Sequence, residues 1–326
     1  MRIVAAGKPP LSWRHMTGAQ GSSLRSPVVA GTFYPGEAER CRRAAEALLH
    51  EQIAAVTTGA GGRAYERPWF GAIVPHAGWI CSGAIAAQSI ATLAQSHDVA
   101  PDVVVVFGAV HTPVRIDFAA LDAHERWAVP GGETPLALDA MCGLTTKSTG
   151  GGLFKVEERL HRHEHAIEVE LPLIQRAWPN AKLLPIEVPA NDDAVEVGRV
   201  VAEVIGSNVG PRAAVYLASS DLTHYGPAYD FTPGGVGPEG LAWAKRNDAR
   251  LLERVADLAA DRIVPEAREH LNACGAGAIA AMLSACRATG ATSARVLRHA
   301  NSYETLARVA PQPPIDAVGY AGVVVS

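Results

Sequence analysis

A run of five consecutive apolar residues, Val-Val-Val-Val-Phe at 103–107, constrains the fold of this chain more than any other segment. β-Branched residues without polar alternation are typical of a parallel strand that is buried on both faces. Such a strand requires helices on both sides of its sheet. Strand-type and helix-type segments alternate along most of the sequence, which predicts an α/β fold with three layers, α/β/α, around a central mixed sheet.

The predicted elements are joined by short connections. We expect strands at residues 69–74, 103–107, 181–188, 213–218, 295–299 and 320–325, and helices at 37–52, 83–94, 165–178, 194–205, 241–256 and 275–288. Pro172 lies inside the helix at 165–178, so we expect a kink or a helix start near Leu171.

The sequence predicts one domain. Gly-rich segments at 57–63, 150–152 and 232–240 are typical of loops, and no composition break or internal repeat divides the chain. We therefore expect residues 25–326 to form a single α/β domain, preceded by a loose extension at 1–24 in which Met16 is an alternative start.

Composition argues against several classes of function. With a formal net charge of −4, the chain has no basic excess of the kind that binds nucleic acid. It contains no run of apolar residues long enough to predict a membrane span. The first 24 residues lack the apolar core of a secretory signal, and the five cysteines form no CxxC pair. These features predict reduced thiols and a cytoplasmic location.

Two histidines follow predicted strands. His76 comes directly after the strand at 69–74, and His111 follows the strand at 103–107 after Gly108. We expect these two parallel strands to be neighbours, so that their ends lie only about 5 Å apart. A metal or catalytic site is expected at such an edge. Each histidine could equally cap its own loop through a hydrogen bond.

Two later segments carry further candidates. Asp221 and His224 follow the strand at 213–218, where His224 suits an acid/base role because imidazole titrates near neutral pH. An N-capping aspartate and a solvated histidine are the alternative. Cys274 precedes the helix at 275–288, whose N-terminal amides stabilise a thiolate. Cys41 and Cys286 are expected to fill the core.

The densest histidine cluster is His-Arg-His-Glu-His at 161–165. Alternate residues of a loop point in different directions, so we expect Glu164 or His165 to face the pocket and His161 to be solvated. Glu168 and Glu170 are expected on an exposed helix face, although Glu168 could also line the pocket. Three further residues could contact a substrate: Trp79, Arg25 and Tyr34. For Trp79, a position in the hydrophobic core is favoured.

Four ordered segments together resemble one known family. They are Arg-Ser-Pro-Val-Val-Ala-Gly-Thr-Phe-Tyr-Pro at 25–35, Val-Pro-His-Ala-Gly-Trp at 74–79, Glu-His-Ala-Ile-Glu-Val-Glu-Leu-Pro at 164–172 and Ser-Ser-Asp-Leu-Thr-His-Tyr-Gly at 219–226. The chain resembles the Memo family, in prokaryotes labelled AmmeMemoRadiSam system protein B, from about residue 25 to 325. That family is similar in fold and site to class III extradiol ring-cleavage dioxygenases, which implies a mononuclear non-haem metal.

The resemblance also implies roles for individual residues. His76, His111 and Cys274 would be the metal ligands, and Asp221 would line the pocket with His224 as the acid/base. Two features depart from the family pattern. The stretch before His111 is Gly-Ala-Val instead of Gly-Pro-Asn/Ser, and the second histidine that often follows is missing. A cysteine also stands where the dioxygenases have a carboxylate ligand. This thiolate widens the choice of metal beyond iron, toward copper or zinc.

Three functions remain open at this point. The leading hypothesis is an O₂-linked or redox metalloenzyme with iron, or alternatively copper, acting on a small molecule or peptide. The second is a non-catalytic module whose pocket binds an anionic or phosphorylated ligand, and a weaker third is a zinc hydrolase. The family label further implies AMMECR1-like and radical S-adenosylmethionine proteins as partners.

Overall fold

The structure is a computed structural model that describes residues 13, 23–58, 68–147, 152–208, 214–307, 309–311 and 313–326. Most of the predicted N-terminal extension and large parts of two predicted loops, 57–63 and 150–152, lie outside these residues. The described residues of the extension contact the domain, and the carbonyl of Ser23 accepts the backbone N–H groups of Glu125 and Arg126. Trp13 is only 4% exposed and joins the core, and Leu24 pairs with Arg126.

Strands and helices alternate as the sequence predicts. The strands are β1 (Leu24–Arg25), β2 (Gly71–Val74), β3 (Val103–Gly108), β4 (Ala119–Leu121), β5 (Arg126–Val129), β6 (Gly132–Pro135), β7 (Phe154–Val156), β8 (Lys182–Glu187), β9 (Ala214–Ser219), β10 (His224–Tyr225), β11 (Ala294–Asn301) and β12 (Ala317–Val325). The helices are α1 (Ala38–Thr58), α2 (Trp79–Gln95), α3 (Leu138–Lys147), α4 (Glu158–Arg162), α5 (Leu171–Ala177), α6 (Ala194–Asn208), α7 (Pro238–Ala256), α8 (Ala260–His270), α9 (Ala276–Ala288) and α10 (Ser302–Leu306).

A nine-stranded mixed sheet forms the middle layer. Its order is β10-β12-β2-β9-β3-β8-β4-β7, with β11 also paired to β12. The four central strands β2, β9, β3 and β8 are parallel and buried along nearly their whole length. This burial explains their unbroken apolar sequences. A separate small sheet contains β1, β5 and β6.

Helices cover both faces of the large sheet. On one face α9 packs against α6, α8 and the central strands, and α3 packs against α6. On the other face α2 packs against β2 and β12 and contacts α1 and α5. The predicted three-layer α/β/α architecture is therefore confirmed.

The helix predicted at 165–178 begins later than its apolar spacing suggests. A 3₁₀ turn spans Glu168–Glu170, and α5 starts at Leu171 with Pro172 in its first turn. Proline lacks a backbone N–H and is tolerated where that donor would be unpaired, so it selects this start. In the described part of the chain, no helix is long and apolar enough to span a membrane.

Candidate metal centre

The carboxyl ends of the central parallel strands place the predicted site residues at one edge of the sheet. β2 leads to His76, β3 leads to His111 and β9 leads to Asp221. The prediction that β2 and β3 are neighbours is wrong, because β9 lies between them and pairs with both. The two histidines nevertheless meet in front of β9, with their ring centroids 5.1 Å apart.

A third histidine completes a cluster of imidazoles. The ring of His165 stacks on His111 with 4.7 Å between centroids and lies 5.4 Å from His76. One ligand atom from each of His76, His111 and His165 lies within 4.8 Å of the others. His165 comes from the turn before Glu168, so the site draws on a fourth segment of the chain.

Cys274 reaches the same cluster from the loop before α9. Its Sγ lies 3.4 Å from Nε2 of His76, while the set of mutually close ligand atoms contains the three histidines and not Cys274. A nitrogen and a sulfur that share a tetrahedral metal ion are about 3.5 Å apart, given metal–ligand distances near 2.0–2.1 and 2.3 Å. The spacing between Cys274 and His76 therefore suits a shared ion.

Hydrogen bonds fix which nitrogen of each ring faces the cluster. Ser219 donates its hydroxyl proton to the carbonyl of Ala166 and must accept from Nδ1 of His76, at 2.8 Å. Nδ1 of His111 donates to Oε1 of Glu164, also at 2.8 Å. Both rings consequently leave Nε2 available to the cluster, and Nε2 of His76 contacts Cys274. Metal-binding imidazoles are commonly oriented by hydrogen bonds of this kind.

Burial and charge act differently on these groups. Burial, with a smaller contribution from the neighbouring imidazoles, holds the pKa of His76 well below its usual value of 6.5. Burial would also lower the pKa of His111, but the nearby thiol of Cys274 and the hydrogen-bonded carboxylate of Glu164 raise it to about 10. Burial opposes ionisation of Glu164, yet its bonds to His111 and to backbone amides lower its pKa to about 2. Glu164 is thus the anionic partner of the cluster.

Asp221 and His224 lie beside the cluster. An oxygen of Asp221 accepts the backbone N–H of His76 at 2.9 Å, and burial raises the pKa of this carboxyl group to about 7. His224 stands 5.1 Å from Tyr229, and burial lowers its pKa. Its buried Nε2 has no hydrogen-bond partner among the described residues.

Two predictions about the histidine cluster region are wrong. His161 is fully buried instead of solvated, with Nδ1 3.0 Å from Glu187 and Nε2 donating to the carbonyl of Ala120. Glu168 and Glu170 are fully buried instead of exposed. The turn that contains them packs inward because it precedes α5 instead of belonging to it.

Glu168 connects the N-terminal segment 25–35 to the site. Its carboxylate accepts hydrogen bonds from Arg25 and Tyr34, at 2.8 Å each, and from backbone amides of the segment. Arg25 and Tyr34 are therefore buried residues that hold the N-terminal segment against Glu168. Trp79 is also buried and donates Nε1–H to the carbonyl of Val169, as its favoured core position predicts.

Sequence reasoning missed three residues of the site. Phe33 lies edge-on to His165 at 5.1 Å, Ser219 orients His76, and Tyr229 contacts His224. Phe33 and Ser219 both lie inside segments that carry the family resemblance, so position within those segments was an available signal. Tyr229 had none, since it follows the last of these segments.

Comparison with known proteins identifies the family. The sequence profile described as "Memo-like protein" matches residues 25–324. The chain belongs to the Memo family. A "MEMO1 family protein" of Methanosarcina acetivorans is 34% identical over 310 residues, covering 93% of this chain and 99% of the relative. Relatives from Methanosarcina barkeri and Thermococcus onnurineus are 32% and 30% identical, over 93% and 92% of this chain and 100% and 99% of their own lengths.

The family assignment confirms the resemblance derived from the four segments. Full-length coverage also shows that the described site lies within the shared region, since every candidate residue falls inside 25–324. The names of these Memo family relatives state membership and no activity.

Proposed function

We propose that this Memo family protein is a mononuclear metalloenzyme with a non-haem site held by His76, His111 and Cys274. The observation that carries the proposal is the contact of Cys274 with the histidine cluster: its Sγ lies 3.4 Å from Nε2 of His76, and one ligand atom from each of His76, His111 and His165 lies within 4.8 Å of the others. His165 lies within reach as a further ligand.

The donor set decides which metals fit. Two or three imidazoles with one thiolate suit iron, copper or zinc and do not suit magnesium or calcium, which prefer oxygen ligands. Iron is the leading choice and copper the alternative, in an O₂-linked or other redox reaction. A bound metal of this type would supply open positions for substrate and electron transfer.

The surrounding residues supply orientation and proton exchange. Ser219 and Glu164 fix the ring orientations of His76 and His111. His224 presents an unpartnered Nε2 that can accept a proton from a ligand, which suits the acid/base role. Asp221 holds the backbone of His76 in place.

Elemental analysis of anaerobically purified protein tests this proposal. We expect a stoichiometric metal in the wild type and a loss or weakening in Cys274→Ser. Cys142→Ser is the matched control, because Cys142 is comparably part-buried but lies on α3. Metal content that is unchanged in Cys274→Ser would refute the ligand assignment, and His165→Gln would then show whether the three imidazoles suffice.

A non-catalytic binding module is the second candidate. The side chains of His111 and His165 remain 32% and 25% exposed, so ring N–H groups are accessible to an anionic or phosphorylated ligand. Protein that stays metal-free after iron-replete anaerobic growth, yet binds inorganic phosphate, would favour this module over the enzyme.

A zinc hydrolase is a weaker alternative that the nitrogen-rich donor set also allows. Stoichiometric zinc without any redox response would favour it. The cytoplasmic location is a proposal that rests on the composition of the chain, and the association with AMMECR1-like and radical S-adenosylmethionine proteins is a proposal that follows from the family alone. Co-purification from the native host tests both partners.

A further inference from the structure

Two loops of the candidate centre depend on each other for their position. The first, 220–223, carries Asp221 and leads to His224, and the second, 271–275, carries Cys274. Cys274 donates its backbone N–H to the carbonyl of Asp221 at 3.3 Å. Gly275 donates its N–H to Oγ of Ser220 at 3.0 Å. Neither loop belongs to a helix or strand, so something outside them must fix the pair.

Asn247 of α7 contacts both loops. Its Nδ2 donates to Oγ1 of Thr223 at 3.1 Å and to the carbonyl of His270 at 2.8 Å, which uses both amide protons. Its backbone carbonyl accepts from Nδ2 of Asn272 at 3.0 Å. Asn247 is 3% exposed and Asn272 is fully buried, so water does not compete for these bonds.

Asp248, the next residue of α7, holds the first loop at a second point. Its Oδ1 accepts the backbone N–H of Thr223 at 2.9 Å, and its Oδ2 contacts Nε2 of His299 at 3.0 Å. Thr223 is therefore fixed through both its side chain and its backbone. The residue that follows it is His224.

We propose that Asn247 is a positioning residue that sets the place of Cys274 and His224 relative to the histidine cluster, although it touches neither of them. Asparagine is required because Oγ1 of Thr223 and the carbonyl of His270 both accept a hydrogen bond from the same donor atom, Nδ2. Aspartate at this position has nearly the same shape but would direct carboxylate oxygens toward the hydroxyl of Thr223 and the carbonyl of His270. The second contact would then be repulsive.

The proposal rests on the proposed metal site, but it can be tested with and without a metal. In metal-free protein, the rate of Cys274 alkylation by iodoacetamide is measured by peptide mass spectrometry. We expect Asn247→Asp and Asn247→Ala each to change this rate several-fold, because Cys274 leaves its contact with His76. Circular dichroism and urea unfolding confirm that each variant is folded under the assay conditions.

The matched control is Ser284→Ala. Ser284 also makes one buried bond between two elements, donating to the carbonyl of Val195 at 2.6 Å, but it lies ten residues beyond Cys274 on α9. This variant loses a similar interaction and should leave Cys274 unchanged. If Asn247→Ala does not fold, Thr223→Val replaces it in the test. This variant removes the hydrogen bond between Nδ2 of Asn247 and Oγ1 of Thr223, and valine has nearly the same shape as threonine.

A second measurement uses Co²⁺ or Cu²⁺ as a spectroscopic probe of the thiolate. We expect the thiolate-to-metal absorption band in the wild type, and about 10- to 100-fold weaker metal binding in Asn247→Asp, as for other residues that support ligands. A wild type without the band would refute the metal site, and the alkylation rates would still decide the role of Asn247. Asn247 variants that match Ser284→Ala in both measurements would overturn the inference.

Discussion

Glu168 and Glu170 offer a sharp test of the electrostatics around the centre. Both lie in the same 3₁₀ turn, on either side of Val169, and both are fully buried. Their surroundings are opposite, because one carboxyl group is saturated with donors and the other has none among the described residues. The same substitution, glutamate to glutamine, should therefore have opposite effects at the two positions.

At Glu168 the substitution breaks a buried ion pair. The carboxylate lies 2.8 Å from Nη1 of Arg25, whose side chain is 2% exposed, and it accepts further bonds from Tyr34 and two backbone amides. Glutamine is neutral and leaves Arg25 buried without its counter-charge. Removing one charged partner of a buried ion pair typically costs about 3–5 kcal/mol. We therefore expect Glu168→Gln to lower the free energy of unfolding by about that amount.

At Glu170 the substitution should be harmless and, above pH 5, stabilising. Burial, with a smaller contribution from Asp221, raises the pKa of Glu170 well above its usual value of 4.5. In the unfolded chain the group ionises near that usual value, whereas the folded state keeps the proton. Glu170 therefore lowers the free energy of unfolding of the wild type by about 1.4 kcal/mol for each unit of increasing pH. This decline begins near pH 4.5 and ends at the pH where Glu170 ionises in the folded protein.

Urea denaturation at pH 5 and pH 7.5 measures both effects. Glu170→Gln has no titrating group at this position, so its stability relative to the wild type should rise across that interval. Asp221 titrates in both proteins and cancels in the difference. If Glu170→Gln is as destabilising as Glu168→Gln, or if the difference does not change with pH, then Glu170 is ionised or paired and the reasoning fails.

Three further predictions concern other buried groups. Burial lowers the pKa of His161, but Glu187 outweighs this effect and raises the pKa to about 9. The cost of His161→Gln, about 3 kcal/mol in urea unfolding at pH 6, should therefore shrink as the pH rises from 6.5 to about 9. Trp127→Phe removes the 2.6 Å bond from Nε1 to Asp122 and should cost about 1–3 kcal/mol in thermal unfolding. Burial raises the pKa of the Cys286 thiol, so iodoacetamide should modify Cys286 only in unfolded protein.

The sequence predicts the central sheet well because burial on both faces leaves a local signal. The strands at 103–108, 182–187 and 214–219 are each runs of apolar residues, and each was predicted within two residues at either end. Strand order leaves no such signal, since it depends on pairing between distant segments. Short strands such as β4 and β7, three residues each, were missed because three residues are too few to show a period.

The orientation of the segment 161–165 could not be predicted for a related reason. Which of its side chains face inward depends on Glu164, whose Oε1 accepts the backbone N–H groups of His165 and Ala166 and the ring N–H of His111. These bonds turn His165 toward the cluster. His161 turns the other way to meet Glu187, which lies on β8, far away in sequence. Spacing alone carries no information about either partner.

The strand that separates β2 from β3 explains how the centre is assembled. Three consecutive residues at the end of β9 each hold a different part of it: Ser219 orients the ring of His76, Ser220 binds the amide after Cys274, and Asp221 binds the backbone of both. If β2 and β3 were direct neighbours, no backbone would lie between the two histidines to carry these donors and acceptors. The interposed strand is therefore the reason that Cys274, from a distant loop, can reach His76.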